Sequence, residues 1–220
     1  MNEEVSEAPK PAVIEIRGKV QQPPRSDGYR PITDPQWVWG QMLGVPSREA
    51  WRTFWSAARR LDTGHRQIER IREAIEDLPP LGSPAGRQAA HEVIGDAELA
   101  IWALDKALDI AVGIQGRYRI PGTFPAIIKE KRPLVAALRD HWSHIDERAL
   151  GKVMERDDPT AENAFEYVAI ISRREFTDGT DSLGIDEEST DLCIATRDYL
   201  VRAWGEITAE AHNKRQAQAG

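Results

Sequence analysis

Residues 133–151 read PLVAALRDHWSHIDERALG, a stretch that combines the periodicity of a helix with the candidate functional residues of the chain. Its apolar side chains recur at steps of three and four residues, which keeps one helix face dry. Pro133 either opens this helix or kinks a longer one that begins near Pro125, and Gly151 is a residue type that commonly follows a helix. The stretch therefore predicts an amphipathic helix with a buried face made of Leu134, Leu138, Trp142, Ile145 and Ala149.

Long helices are also predicted on both sides of this stretch. Ser47 and Ser83 are good N-caps, and each precedes a run with apolar residues on one face. Gly64 either breaks or bends the first of these helices, whereas Gly113 and Gly116 are expected to end the second. Together with the central stretch, the predicted helices cover 47–78, 84–114, 133–151 and 187–211.

A small β-hairpin is predicted before the last helix. Residues 165–172 are rich in side chains that favour strands, and Asp178-Gly179 is a turn signal. Residues 183–185 would pair back on the first strand. The fold class is therefore mainly α, with a β-hairpin inserted near 160–186.

The proline content divides the chain into an arm and a body. Residues 1–46 hold seven of the fourteen prolines, which is typical of a segment that does not fold alone. Trp37 and Trp39 are costly to leave in water, so this arm is expected to dock in part on the body. The helical body would then occupy 47–212, and 213–220 would be a disordered tail.

Charge is unevenly distributed along the chain. The formal net charge is −7, which argues against nonspecific binding along a nucleic-acid backbone. Residues 124–152 nevertheless carry six basic and four acidic side chains, so this segment is +2 and the rest of the chain is −9. An anionic ligand is therefore expected at this segment if anywhere.

Cysteine content and hydropathy indicate a compartment. Cys193 is the single cysteine, which excludes an internal disulfide and a metal cluster built on cysteine. No stretch approaches eighteen apolar residues, and the N-terminus lacks the basic-then-apolar order of a signal peptide. The sequence thus predicts a cytoplasmic protein without a membrane anchor.

Residues 139–144, RDHWSH, place an arginine and a polar residue ahead of a histidine at the spacing RxxxxH. This pattern resembles the signature of HEPN domains (higher eukaryotes and prokaryotes nucleotide-binding domains). The surrounding LRDHWSHIDERALG also resembles a set of uncharacterised bacterial helical proteins. The motif covers about twenty residues, and the predicted order of helices and hairpin agrees with such a domain over about 47–212.

The resemblance implies a metal-independent endoribonuclease, of the toxin or defence type, that acts as a homodimer. Arg139 would hold the scissile phosphate of RNA, Asp140 would position it, and His144 would be the general acid and base. On one helix Arg139 lies roughly 140° from His144, so a second copy of the helix or another part of the fold would have to complete the site. The resemblance implies the second copy. His141 is a secondary candidate. No cofactor, membrane or DNA is implied, an antitoxin or other protein partner is possible, and the candidate RNA-binding cations are Lys129, Lys131 and Arg132.

Other interpretations of the same residues stay open. His141 is expected to be a packing residue, and Arg139 could pair with an acid on a neighbouring helix. Asp140 could accept a hydrogen bond from His144 one turn on. His141, His144 and Glu147 could ligate a divalent ion, although a bundle metal site normally draws ligands from two helices. The alternative function is a non-catalytic helical module that binds a partner protein or a nucleotide.

Overall fold

The computed structural model describes residues 28–33, 47–143, 152–153, 156–157, 167–177 and 180–219. Over these ranges the chain is mainly helical with a small antiparallel hairpin, which confirms the predicted fold class. None of the helices described is long and apolar enough to cross a membrane. In chain order the elements are α1 (Arg48–Glu76), α2 (Pro84–Tyr118), α3 (Ala126–Ser143), β1 (Lys152–Val153), β2 (Arg156–Asp157), α4 (Tyr167–Ser172), β3 (Glu175–Thr177), β4 (Ser182–Gly184) and α5 (Glu187–Ala219).

Helices α1 and α2 form an antiparallel pair whose ends follow local capping rules. The Ser47 and Ser83 hydroxyls each accept a hydrogen bond from a backbone N–H three residues on, at 3.0 Å. Helix α1 continues through Gly64 without a break. A side chain at Gly64 would come within 3.1 Å of Leu104, so this glycine lets α1 approach α2 closely.

Helix α2 is longer than the sequence predicted. Gly113 and Gly116 lie inside α2, and its C-cap is Arg119, a residue in the left-handed region with φ of 48°. Helix α3 begins at Ala126 and contains Pro133, which agrees with the second of the two interpretations, a longer helix that begins near Pro125. Glycine and proline weaken a helix, but burial of the apolar face of each helix outweighs that local cost.

The hairpin lies within the predicted region but uses different strands. Residues 167–172, predicted as part of its first strand, form helix α4, and β3 follows this helix. Strand β3 pairs antiparallel with β4, with Phe176 opposite Leu183. A second pair, β1 and β2, lies at 152–157, outside the region predicted to hold the β structure.

The last helix extends further than expected. Helix α5 runs to Ala219, so the predicted tail at 213–220 is helical over all but its final residue, and that residue lies outside the described ranges. Arg72 of α1 joins the start of α5 to the bundle. Its guanidinium donates to the carbonyls of Ile185 (3.1 and 2.6 Å) and Asp186, and to the hydroxyl of Thr190 at 2.5 Å.

Part of the N-terminal arm is docked on α1 around the buried carboxylate of Asp62. One oxygen of Asp62 accepts from the Tyr29 hydroxyl at 2.6 Å and the Ile32 backbone at 3.0 Å. The other oxygen accepts from the Thr33 backbone at 2.7 Å and the Thr33 hydroxyl at 2.5 Å. The Tyr29 ring also stacks on His65, with centroids 3.9 Å apart. We call these five residues the Asp62 clasp.

The clasp attaches residues 29–33 of the arm to α1. Tyr29 and Ile32 are both buried in the core cluster, so apolar contacts accompany the hydrogen bonds of the clasp. Trp37 and Trp39, on which the prediction was based, lie outside the described residues.

Candidate functional site

The C-terminal half of α3 carries the first half of the RxxxxH motif. Arg139 extends toward α2, where its Nε lies 3.4 Å from the carboxylate of Asp105. Its Nη2 lies 2.8 Å from the carboxylate of Asp140, the next residue on α3. About 30% of the Arg139 side chain is exposed. Its guanidinium therefore lies partly at the surface, between the buried Asp105 and the exposed Asp140.

Asp105 is the residue near this site that sequence reasoning missed. It lies on the inner face of α2, is 1% exposed, and contacts Lys106 Nζ at 2.8 Å as well as Arg139. A buried carboxylate needs partners of this kind because the free energy of removing it from water is high. The available signal was its position four residues after Ile101 on the apolar stripe of α2, where an acid is out of place.

The contact between Arg139 Nε and the Asp105 carboxylate is an ion pair without a hydrogen bond. The Nε atom is enclosed and, within the described part of the chain, forms no hydrogen bond of good geometry. Its charge is offset by Asp105 without a short N–H···O contact. Arg139 therefore pairs with an acid on a neighbouring helix, as one interpretation of the sequence anticipated, but that acid is buried.

Of the two histidines of the motif, the structure describes only His141. His141 is buried on the inner side of α3 and has a polar or ring contact there, as expected for a packing residue. His144, the proposed acid and base, lies outside the described residues. The neighbouring Trp142 fixes the end of α3, since its indole donates to the Thr177 carbonyl at 3.2 Å and packs edge-on against Phe176.

The three candidate RNA-binding cations lie in the N-terminal half of α3 in different surroundings. Lys131 contacts Glu188 at 2.5 Å and Glu130 at 3.0 Å, and the hydrogen bond to Glu188, followed by that to Glu130, raises the pKa of Lys131. Arg132 donates to Asp109 of α2 at 2.9 and 2.8 Å. Lys129 is exposed and lies 6.0 Å from the centre of the Phe124 ring.

The described candidates lie on one helix but do not form one cluster. Arg132 and Arg139 both reach α2 and are separated by seven residues, which is about 10 Å along α3. Among the described residues, no group of three or more His, Cys, Asp or Glu side chains could hold a metal ion. His144 and Glu147 of the metal interpretation lie outside that search.

The chain was compared with three groups of known proteins. Comparison of the chain with protein families, with curated proteins and with solved structures finds no match.

Proposed function

We propose that this protein is a HEPN-like, metal-independent endoribonuclease whose site is shared between two copies of the chain, with Arg139, Asp140 and His144 in the roles that the motif implies. The observation that carries the proposal is the position of Arg139, which is paired with a buried acid and is still partly exposed. Asp105, which is buried, holds the Nε edge of the guanidinium, while part of the side chain stays accessible. An arginine oriented in this way offers a phosphate its charge with little loss of side-chain freedom.

The proposed reaction needs only groups present in the motif and in RNA. In the roles that the motif implies, none of Arg139, Asp140 and His144 is a nucleophile, so the substrate supplies its own. The ribose 2′-hydroxyl does so, and DNA lacks it. His144 would take that proton or deliver one to the leaving oxygen. Arg139 would offset the negative charge that builds on the phosphate.

Cleavage by purified protein tests the reaction. The expected product carries a 2′,3′-cyclic phosphate, and chelators leave the rate unchanged. His144→Ala should lower the rate about 10²–10⁴-fold if this imidazole is the acid and base. The matched control is His91→Ala, because His91 is exposed on α2 and far from the motif in sequence. Cleavage of an all-deoxy strand, or a His144→Ala variant as active as the wild type, contradicts the mechanism.

Mixing two inactive variants tests the shared site. Arg139→Ala and His144→Ala are combined so that the subunits exchange. If Arg139 of one copy serves His144 of the other, each mixed dimer regains one intact site, and the activity recovers to about a quarter of the wild-type value. If both residues act within one chain, the mixture stays inactive, and the shared site is wrong even if cleavage is real.

A second candidate function is a non-catalytic helical module that binds a partner protein or a nucleotide. The observation that favours it is the pairing of Arg139 with two carboxylates, since a structural role for this arginine accounts for both contacts. Under this proposal Arg139→Lys preserves stability, and no condition yields RNA cleavage. An RNA cleavage activity that disappears in Arg139→Lys would exclude it.

A further inference from the structure

A groove lies between the end of α2 and the N-terminal half of α3, away from Arg139. Its volume is about 650 Å³, within the ~300–1,000 Å³ usual for small-molecule sites. The walls are largely apolar and include Val112, Phe124 and Pro133, and Gly116 leaves open space where a side chain would project. The groove can therefore hold an apolar body without rearrangement of the helices.

Two cations, Lys129 and Arg132, border the groove, and only Arg132 is paired with a carboxylate among the described residues. Arg132 donates from two nitrogens to Asp109, so its charge is offset. Lys129 also lines the groove, and across the described ranges its ammonium makes no ion pair with a carboxylate. The Lys129 ammonium is therefore available to pair with an anionic group of a molecule that occupies the groove.

The loop that forms one wall is braced by a third cation. Arg202 of α5 donates to the Thr123 carbonyl at 3.0 Å and lies 5.7 Å from the Tyr199 ring. Like Lys129, it makes no ion pair with an acid in the part of the chain that the structure describes. The Phe124 ring packs edge-on against Tyr199 with centroids 4.8 Å apart. The wall is thus held in place from behind by Arg202 and Tyr199, and Arg202 adds a positive charge there.

We propose that this groove binds a small organic anion with an apolar body and one anionic head. The body would lie against Val112, Phe124 and Pro133, and the head would pair with the Lys129 ammonium. Of the two cations that line the groove, Lys129 alone has no carboxylate partner among the described residues, which favours one anionic group, and the mainly apolar walls offer few partners for a polar body. The site uses none of the proposed catalytic residues, although Lys129 is also one of the candidate RNA-binding cations, and the competition with RNA described below separates the two uses.

Fluorescence titration of the full chain with 1-anilinonaphthalene-8-sulfonate tests the site. We expect saturable binding of one probe per chain. Competition with decanoate and with 1-naphthoate distinguishes an acyl from an aromatic body, and inorganic phosphate tests the head alone, which should compete poorly. If none of the organic anions binds saturably, or if a short RNA displaces the probe while decanoate and 1-naphthoate do not, the proposal is wrong.

Two glycines on α2 provide a matched pair of variants. Gly116→Leu fills the groove, and Gly113→Leu adds the same side chain on the same helix outside it. Neither glycine has an atom within 4 Å of the position that a Cβ would take, and leucine favours helix more than glycine does, so both variants should fold. Binding should be lost in Gly116→Leu and kept in Gly113→Leu. Equal binding by the two variants places the probe elsewhere and overturns the proposal.

Two lysines on α3 test the charge. Lys129→Gln should weaken binding about fivefold, as expected for one exposed ion pair. Lys131→Gln should change it little, since Glu188 and Glu130 already balance that charge. Lys129→Glu should weaken binding further than Lys129→Gln. If all three variants bind as the wild type does, the groove has no preference for an anion and the proposal fails.

Discussion

Asp62 and Asp105 are two buried carboxylates on adjacent helices, 3% and 1% exposed, and the protein satisfies them in opposite ways. Asp62 accepts four hydrogen bonds from neutral donors, all of them on the N-terminal arm. Asp105 is met by two cations, Lys106 and Arg139, that reach it from the surface. One acid thus organises a distant backbone segment, and the other holds charged side chains at the surface.

The contrast separates a structural role from a candidate functional one. Two of the four donors to Asp62 are backbone N–H groups, those of Ile32 and Thr33, so the clasp holds the backbone of the arm segment against α1. Cations need no such fixed backbone and keep contact with water and with other anions. The Asp105 arrangement therefore leaves part of the Arg139 side chain exposed, whereas the Asp62 carboxylate is enclosed by its donors.

Removal of the Asp62 carboxylate should have the largest effect on stability. Asp62→Ala leaves the Tyr29 hydroxyl and the Thr33 donors without their acceptor, which we expect to lower the free energy of unfolding by about 2–4 kcal/mol. If the arm undocks, these groups return to water, which limits the decrease in the free energy of unfolding. Urea unfolding measures that decrease. Asp191→Ala, at an exposed position of α5, is the control and should stay within about 0.5 kcal/mol of the wild type.

A loss of similar size in Asp62→Ala and Asp191→Ala would show that the clasp contributes nothing to stability. Limited proteolysis gives a second measurement, because cleavage near residues 28–33 should become faster in Asp62→Ala alone. Unchanged cleavage would contradict docking of the arm through this acid.

Replacement of the arginine beside Asp105 should have a smaller effect. Arg139→Leu leaves Asp105 buried with Lys106 as its remaining cation, and the expected loss is about 1–3 kcal/mol. Arg139→Lys should recover most of it. The control is Arg132→Leu, since the Arg132–Asp109 pair joins the same two helices but is solvent-exposed and is worth about 0–1 kcal/mol. Equal losses in Arg139→Leu and Arg132→Leu would mean that burial of Asp105 has no energetic consequence.

The tyrosine of the clasp should produce a smaller effect at neutral pH and a distinct one at alkaline pH. Tyr29→Phe removes one of the four hydrogen bonds and should cost about 1 kcal/mol. Burial, followed by the nearby Asp62 carboxylate, raises the pKa of Tyr29 well above 10.0. The folded state therefore favours the protonated phenol, so its contribution is complete below about pH 10 and declines as the pH rises above that value.

Wild type and Tyr29→Phe should accordingly converge in stability as the pH rises past 10. Some alkaline sensitivity should persist in the variant, because burial raises the pKa of Tyr199 to about 12. Urea unfolding between pH 8 and 11.5 measures both effects. A constant difference between the two proteins over this range would contradict the pKa shift of Tyr29.

An exposed ion pair supplies the smallest expected effect and a reference for the buried acids. Hydrogen bonds from Arg174 are the main cause that lowers the pKa of Asp186, a half-exposed residue that Arg174 contacts at 2.7 Å through two nitrogens. A lowered pKa adds stability above the unfolded value, about pH 4, that is lost as the pH falls through the folded value. Arg174→Gln should therefore flatten the acid side of the stability profile slightly. An unchanged profile between pH 2.5 and 6 would show that the pair is fully screened.

The sequence was most informative where structure depends on neighbours along the chain. The caps at Ser47 and Ser83 were predicted because an N-cap hydroxyl binds a backbone N–H only three residues away. The prediction for 167–172 was wrong because a short apolar run rich in β-branched side chains fits a strand or a buried helix turn equally well. Packing against the rest of the fold decides between the two, and periodicity over six residues does not.

The candidate site was predictable only in part for the same reason. The spacing of Arg139 and the charge of its segment are visible in the sequence. Asp105 is 34 residues earlier, and its contact with Arg139 depends on how α3 lies against α2. A polar residue on an apolar stripe is the usable signal, and both Asp62 and Asp105 carry it. The sequence does not show which groups bind these two acids, because tertiary packing determines them.

The junction at Arg72 has a consequence for the order of folding. Its guanidinium binds groups that are 113–118 residues further along the chain, whereas α1 and α2 meet across a short turn. Closure of a long loop carries an entropic cost that only the contacts formed afterwards offset. The α1–α2 pair is therefore expected to form first, both in refolding and as the chain leaves the ribosome. Capture of the start of α5 by Arg72 then completes the bundle in a late step.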